Sequence, residues 1–367
     1  MSLVYHSVEP EANKSSFGEF DTVDFVISTD RNLVGGSVRL EGLLQINSTG
    51  STRAVLTDEI YMNKRIGVHS LIEGISVKVD GSTVENISSD YPRYVHMVQS
   101  ATKSMDDYFD SAELCELKAP STDVAIGYST GHAIRHNGGN GVPINLDFSM
   151  RPLCVLNKMS DNLQMSRVNN TVRVSVNLAR DANVIQGNGQ VNASNYSISE
   201  FRLTYRTVDP SPVPQVTCES VVPIKHVLNS SFSNVGSRVP AVCNAVSASF
   251  MKLSKENQIN SDNNALESPP DLQEVQFLFN NSTNQLTQYV LDDYGQFLDG
   301  YLQSLKNKGS SDASPNNVKG NSVFGVGVDF NDNVDLTNEK FSVQVKSAVS
   351  SGNNYLMYLY FHTRFNM

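Results

Sequence analysis

Two stretches of the chain close in the same way, and that repetition limits what the sequence can fold into. Residues 143–151 (PINLDFSMR), 171–178 (TVRVSVNL) and 201–208 (FRLTYRTV) each alternate apolar and polar side chains. Ile144, Leu146, Phe148 and Met150 share one face, and Asn145, Asp147, Ser149 and Arg151 the other. Residues 324–330 (FGVGVDF), 341–346 (FSVQVK) and 355–361 (YLMYLYF) form a second set of three. A period of two places alternate side chains on opposite faces of a strand, the mark of antiparallel strands with one face on a core. Between the sets lies D-P-S-P-V-P, residues 209–214. Its three prolines fix φ and remove backbone donors, which suits a stiff linker. One β-domain finishes before the linker and another after it.

The repetition extends backward from each set. Residues 91–109 predict a helix with Tyr94, Val98, Ala101, Met105 and Tyr108 along one stripe, Asp90 as its cap and Pro92 in its first turn. Residues 286–305 predict its counterpart, with Leu286, Val290, Tyr294, Phe297, Tyr301 and Leu305 in the stripe and Asn284 as cap. Each helix follows a strand and a polar turn, GISVKVDGS (74–82) in one half and EVQFLFNNS (274–282) in the other. Long polar loops follow, at 119–142 and 307–321. Early strands are expected at 20–28 and 37–46, and again at 215–227 and 241–253. The fold expected is all-β: two consecutive eight-stranded antiparallel jelly rolls, each with a helix before its last three strands. The divisions are an N-terminal arm (1–18), a first roll (19–208), the linker (209–214) and a second roll (215–367).

The segment YLMYLYF is apolar on both faces, so both must be covered. It belongs either inside its own domain or where the two rolls, or neighbouring subunits, pack. The elements that repeat or join the halves give the candidate interface residues: Tyr94, Val98, Met105, Tyr294, Phe297, Tyr301, Tyr358 and Tyr360.

Composition excludes several classes. The net charge is −10 over 367 residues, and no dense Lys/Arg run supplies the footprint of a direct nucleic-acid binder. Cys115, Cys154, Cys218 and Cys243 show no C-x-x-C spacing, so free thiols are expected, not a disulfide framework or a zinc site. The first residues carry no basic or apolar leader pattern, and no apolar run has the length of a membrane span.

Chemistry is sparse. His132 and His136 are four apart in GHAIRHNGGNG, but the glycine-rich flanks point to a surface loop, not a metal-binding helix. In DFNDNVDLTNE (329–339), Asp329, Asn331 and Asn333 match the start of a calcium loop. Val334 stands where glycine is needed and Lys340 where glutamate is needed, so an Asx-rich turn between strands is the better account. Asp106–Asp107 and Asp292–Asp293 are adjacent pairs on the expected helices, where neighbours do not share a face. With no G-x-S-x-G, P-loop or G-x-G-x-x-G, no catalytic residue, cofactor or metal site is expected.

Two rolls in succession, each with a helix before its final strands, together with NLDFSMRPLCVLNKMS (145–160), NNTVRVSVNLAR (169–180) and SEFRLTYRTV (199–208), resemble the double jelly-roll major capsid proteins. That family builds the shells of tailless icosahedral viruses of the PRD1-adenovirus lineage, including virophage-like and polinton-like viruses. The resemblance implies a structural protein without enzymatic activity, found in the virion after synthesis in the host cytoplasm or nucleus. It implies a homotrimer of pseudo-hexagonal outline that meets neighbouring capsomers and minor and vertex capsid proteins, with the N-terminal arm near an internal lipid membrane. Loops 119–142, 181–197 and 307–321 would serve as towers and inter-capsomer contacts. The alternatives are a carbohydrate-binding or glycan-hydrolysing double jelly-roll protein, and a minor vertex protein.

Overall fold

The computed structural model describes residues 2–48, 59–61, 66–102, 126–127, 131–135, 144–187, 194–237, 242–259, 261–279, 288–305, 324–335 and 341–367. In the first half the main elements are β1 (Val4–Val8), β2 (Thr22–Ser28), β3 (Arg39–Ser48), β4 (Ile72–Val79), β5 (Ser82–Ile87), α1 (Tyr91–Thr102), β6 (Ile144–Met150), β7 (Thr171–Leu178) and β8 (Ser194–Val208). The second half has β9 (Thr217–Leu228), β10 (Phe232–Ser237), β11 (Val242–Lys252), β12 (Glu274–Phe279), β13 (Gln288–Leu291), α2 (Tyr294–Ser304), β14 (Val326–Asp335), β15 (Phe341–Lys346) and β16 (Tyr355–Asn366).

These strands form two sandwiches of the same topology. In the first, one sheet runs β1-β8-β3-β6 and the other β2-β7-β4-β5; in the second, the sheets run β9-β16-β11-β14 and β10-β15-β12-β13. Adding eight to each number of the first sandwich reproduces the second. Every neighbour in these sheets is antiparallel. Alternation explains the inward faces. Val23, Phe25 and Ile27 of β2, Val172, Val174 and Val176 of β7, and Phe201 and Leu203 of β8 are fully or nearly fully buried in the first core. Phe341, Val343 and Val345 of β15 fill the second.

Local chemistry sets the turns. Asp80 (φ 49°) and Gly81 (φ 73°) make the two-residue turn between β4 and β5, both in the left-handed region that such a hairpin turn requires. In β8 a register shift falls between Ser199 and Arg202, where Glu200 has φ 52°, and lets one long strand serve its partners with a bulge.

Several expectations are corrected here. The segment expected to be an arm contains β1, paired residue by residue with β8. Its alternation is hidden because an edge strand with Val4 and Tyr5 exposed shows little apolar contrast. The second helix starts at Tyr294, not near 286. Residues 288–291 pair with β12 as a strand, so Val290 is not part of a helical stripe and lies 40% exposed. Asp293 is the cap, its carboxylate accepting the Gln296 N–H at 2.9 Å. The expected cap Asn284 lies outside the described residues. The Asx-rich segment from Asp329 to Asp335 extends β14, paired with β11 through a bulge, instead of forming a turn. Cross-strand pairing outweighs the turn preference of Asn and Asp there. His132 falls in a short strand, Gly131–Arg135, not a loop, and His136 lies outside the described residues. Asp106 and Asp107 also lie outside them. Among the described residues no helix is long and apolar enough to cross a membrane.

Helix α2 is seated on β14 through glycines. A Cβ on Gly300 would overlap the carbonyl oxygen of Gly327, and one on Gly325 would enter the ring of Tyr301. Alanine normally favours a helix over glycine by about 1 kcal/mol. Here the overlap reverses the sign: Gly300→Ala is expected to destabilise the protein by about 1–3 kcal/mol, read from chemical denaturation, and unchanged or increased stability would refute this seating.

Candidate functional site

The outward faces of the two equivalent sheets, β1-β8-β3-β6 and β9-β16-β11-β14, have opposite chemistry. Strand β16 alternates between two cores. Met357, Leu359 and Phe361 point into the second sandwich. Leu356, Tyr358 and Tyr360 point the other way and join the cluster that holds the first core. Both faces of YLMYLYF are thus covered, one by its own sandwich and the other at the junction between the sandwiches of a single chain.

Helix α1 is the main cover. It is buried almost all round, with only Val98 and Thr102 partly open, because it lies between both sandwiches. The Tyr94 and Tyr360 rings approach to 5.4 Å. The Tyr360 hydroxyl donates to the Asp90 carbonyl at 3.0 Å, and the Tyr301 hydroxyl of α2 donates to the Met97 carbonyl at 2.7 Å. The Arg93 guanidinium sits 3.8 Å from the Tyr358 ring centroid, a cation–π contact, and donates to the Asn263 carbonyl. Asn263 and Asn264 in turn donate to the carbonyls of Ala182 and Asn183, tying the second half to a short turn of the first.

A buried ion pair anchors the other end of the junction. Lys158 Nζ lies 2.8 Å from Glu85 Oε1, and the Val155 N–H donates to the second carboxylate oxygen at 2.5 Å. Burial pushes the Glu85 carboxyl up, opposed by the Lys158 ammonium. The same ammonium lies over the Tyr94 ring at 5.5 Å. Nearby, burial raises the thiols of Cys154 and Cys218 to about 12; Cys243 is buried as well. Cys115 lies outside the described residues.

The turn gripped by Asn263 and Asn264 starts at Asp181, whose carboxylate accepts the Tyr196 N–H at 3.1 Å. Burial raises its pKa to about 6, against the pull of that hydrogen bond, with Glu19 adding to the rise. A carboxyl raised on folding binds its proton more tightly in the native state, so its contribution falls as pH rises from the unfolded value through about 6. Asp181→Asn is therefore expected to lessen the loss of stability between about pH 4 and pH 6, measured by denaturant midpoints across that range. A parallel loss in both proteins would overturn the assignment.

The structure brings together Tyr94, Tyr301, Tyr358 and Tyr360, each no more than 2% exposed. They meet inside one chain, not on a surface open to another. Phe297 belongs to the second core with Tyr294 half-buried beside it. Val98 packs against the first core. Met105 lies outside the described residues.

Two features escaped the sequence. Ser247 Oγ lies 2.8 Å from His362 Nε2, and His362 Nδ1 lies 3.2 Å from Glu219. The connectivity is that of a Ser-His-acid array, but Ser247 and His362 are 0% and 1% exposed. A nucleophile has to be reached by its substrate. The array satisfies buried polar atoms on the β16 face, with the Tyr94 ring 6.0 Å from His362. Among the described residues no group of three or more His, Cys, Asp or Glu could hold a metal ion.

The second feature is a cavity of about 540 Å³ on the outward face of the first sandwich, lined by Tyr5, Arg39, Glu41, Arg151, Arg202 and Arg206 among others. Strand β8 occupies the position that β16 holds in the second sandwich. Where β16 presents buried tyrosines, β8 presents Arg202, Thr204 and Arg206, exposed or half-exposed. No alternation rule distinguishes a solvated polar face from one awaiting a partner.

No family model and no curated protein sequence matches the chain. Comparison with solved structures does find matches, at full length. The Faustovirus major capsid protein aligns with a TM-score of 0.62 at 9% identity, over 100% of this chain and 90% of its own. PBCV-1 VP54, fitted into a cryo-EM reconstruction of the virophage Sputnik, gives 0.61 at 10% identity, over 100% and 95%. The mavirus major capsid protein gives 0.54 at 10% identity, over 99% and 90%. The chain has the double jelly-roll fold. The likeness covers both rolls. At about one identical residue in ten, the likeness to these structures is one of fold.

Proposed function

We propose that this double jelly roll is the major capsid protein of an icosahedral virus and that three copies form a pseudo-hexagonal tile of the shell. The observation that carries the reading is the full-length likeness to major capsid proteins, joined to the repeat of one strand order in two fused sandwiches. Three copies then supply six similar blocks to one ring. Its partners are copies of itself and neighbouring capsomers, with minor and vertex proteins, and its place is the virion. The divisions that fit this reading are a first roll to residue 208, a linker at 209–214 and a second roll from 215.

The test is solution mass by light scattering, followed by imaging of the same peak. Three chains of 40.3 kDa give about 121 kDa and, with closed cyclic symmetry, a three-fold particle of hexagonal outline. A protein that stays monomeric at every concentration measured would overturn the trimer and weaken the shell role with it.

A further inference from the structure

We infer that the arginine-lined face of the first roll is the seat of a second copy of this chain, which docks there through the acidic side of its helix α2. This rests on reading the chain as a trimer-forming shell protein and assigns the surfaces that close the trimer.

The internal junction is heterologous: a helix of one roll, α1, meets the outward face of the other roll's equivalent sheet at β16. Head-to-tail contacts of this kind leave one complementary pair of surfaces unused in each chain, and they close into a ring when repeated with the right rotation. The unused pair here is the outward face of β8 and the far side of α2. The two helices differ as this requires. Helix α1 is enclosed between two rolls, whereas α2 is buried on one side only, at Phe297, Leu298, Tyr301 and Ser304. Asp292, Gln296, Asp299 and Gln303 remain exposed along the other side.

Charge decides between a second copy and bare solvent. The cavity on β8 is lined by four arginines, Arg39, Arg151, Arg202 and Arg206, against one acid, Glu41. Glu41 is engaged by Arg202 at 3.1 Å, in a pair that leaves Arg202 46% exposed. Residues 288–304 hold Asp292, Asp293 and Asp299 and no Lys or Arg. Tyr5, 73% exposed at the rim of the same cavity, offers apolar area beside the charges. On an otherwise acidic chain, an arginine-rich face opposite an aspartate-rich helix is complementarity of the kind that fixes register and partner.

The test uses the full-length chain. Arg202→Asp with Arg206→Asp is expected to give a folded monomer, trimer dissociation rising at least about 100-fold by light scattering and analytical ultracentrifugation. Asp292→Arg with Asp299→Arg, which spares the cap Asp293, should do the same from the other surface. All four changes in one chain should restore the trimer. Circular dichroism melts establish folding, and should the arginine variant fail to fold, the aspartate variant decides alone, because its residues are exposed. A folded charge variant that trimerises like the wild type overturns this assignment while the shell reading stands. A four-site chain that stays monomeric overturns the pairing of these two surfaces. A wild-type monomer at all concentrations overturns the trimer itself.

Discussion

Tyr360→Asp is expected to leave no stably folded protein at room temperature. The substitution removes a fully buried ring, which by itself costs about 3–5 kcal/mol. It also places a carboxylate opposite the Asp90 carbonyl that the native hydroxyl bonds, beside the Tyr94 ring. An uncompensated buried charge adds several kcal/mol more, and the sum rivals the whole stability of an ordinary domain, about 5–15 kcal/mol. Tyr358→Asp is expected to be milder, because the new carboxylate would meet the Arg93 guanidinium now stacked on the ring. Tyr360→Phe, which loses only the hydrogen bond, should cost about 1 kcal/mol. Denaturant unfolding of the three variants reads the order directly. A Tyr360→Asp protein that unfolds cooperatively near the wild-type midpoint would remove β16 from the junction.

The second large effect is at the buried pair. Glu85→Leu is expected to destabilise the protein by about 3–5 kcal/mol, since it strands the Lys158 charge and leaves the Val155 N–H without its acceptor. Adding Lys158→Met should recover much of that loss, because well-packed apolar replacements of a buried ion pair are often neutral. If the double variant is no better than the single one, the cost does not come from the unpaired ammonium. The pair then matters through its hydrogen bonds to the backbone.

What was legible in the sequence followed from strict alternation. Strands such as β7 and β15, with valine or phenylalanine at every second position, bury one face and declare it. The duplication was legible for the same reason, since both halves end in three such strands. Strands β1, β5, β10 and β13 were not read: they are short or lie at or near a sheet edge, and QYVL reads as readily as a helix turn as a strand. The tyrosines of β16 were recognisable as doubly covered, but not by what. Their cover is α1, about 260 residues away in sequence, and no local pattern encodes that pairing. The arginines of β8 gave no signal, because a polar outward face looks the same whether it meets water or another chain.

The position of β16 has a further consequence. It is the last strand in chain order, yet it lies at the centre of its sheet, between β9 and β11, and supplies one wall to each of two cores. Domains fold as they emerge during synthesis, N-terminal parts first. Until residues 355–366 are made, β9 and β11 have no common neighbour and α1 lacks the cover that Tyr358 and Tyr360 give one of its sides. Until that strand has emerged, a nascent chain cannot display a finished second roll.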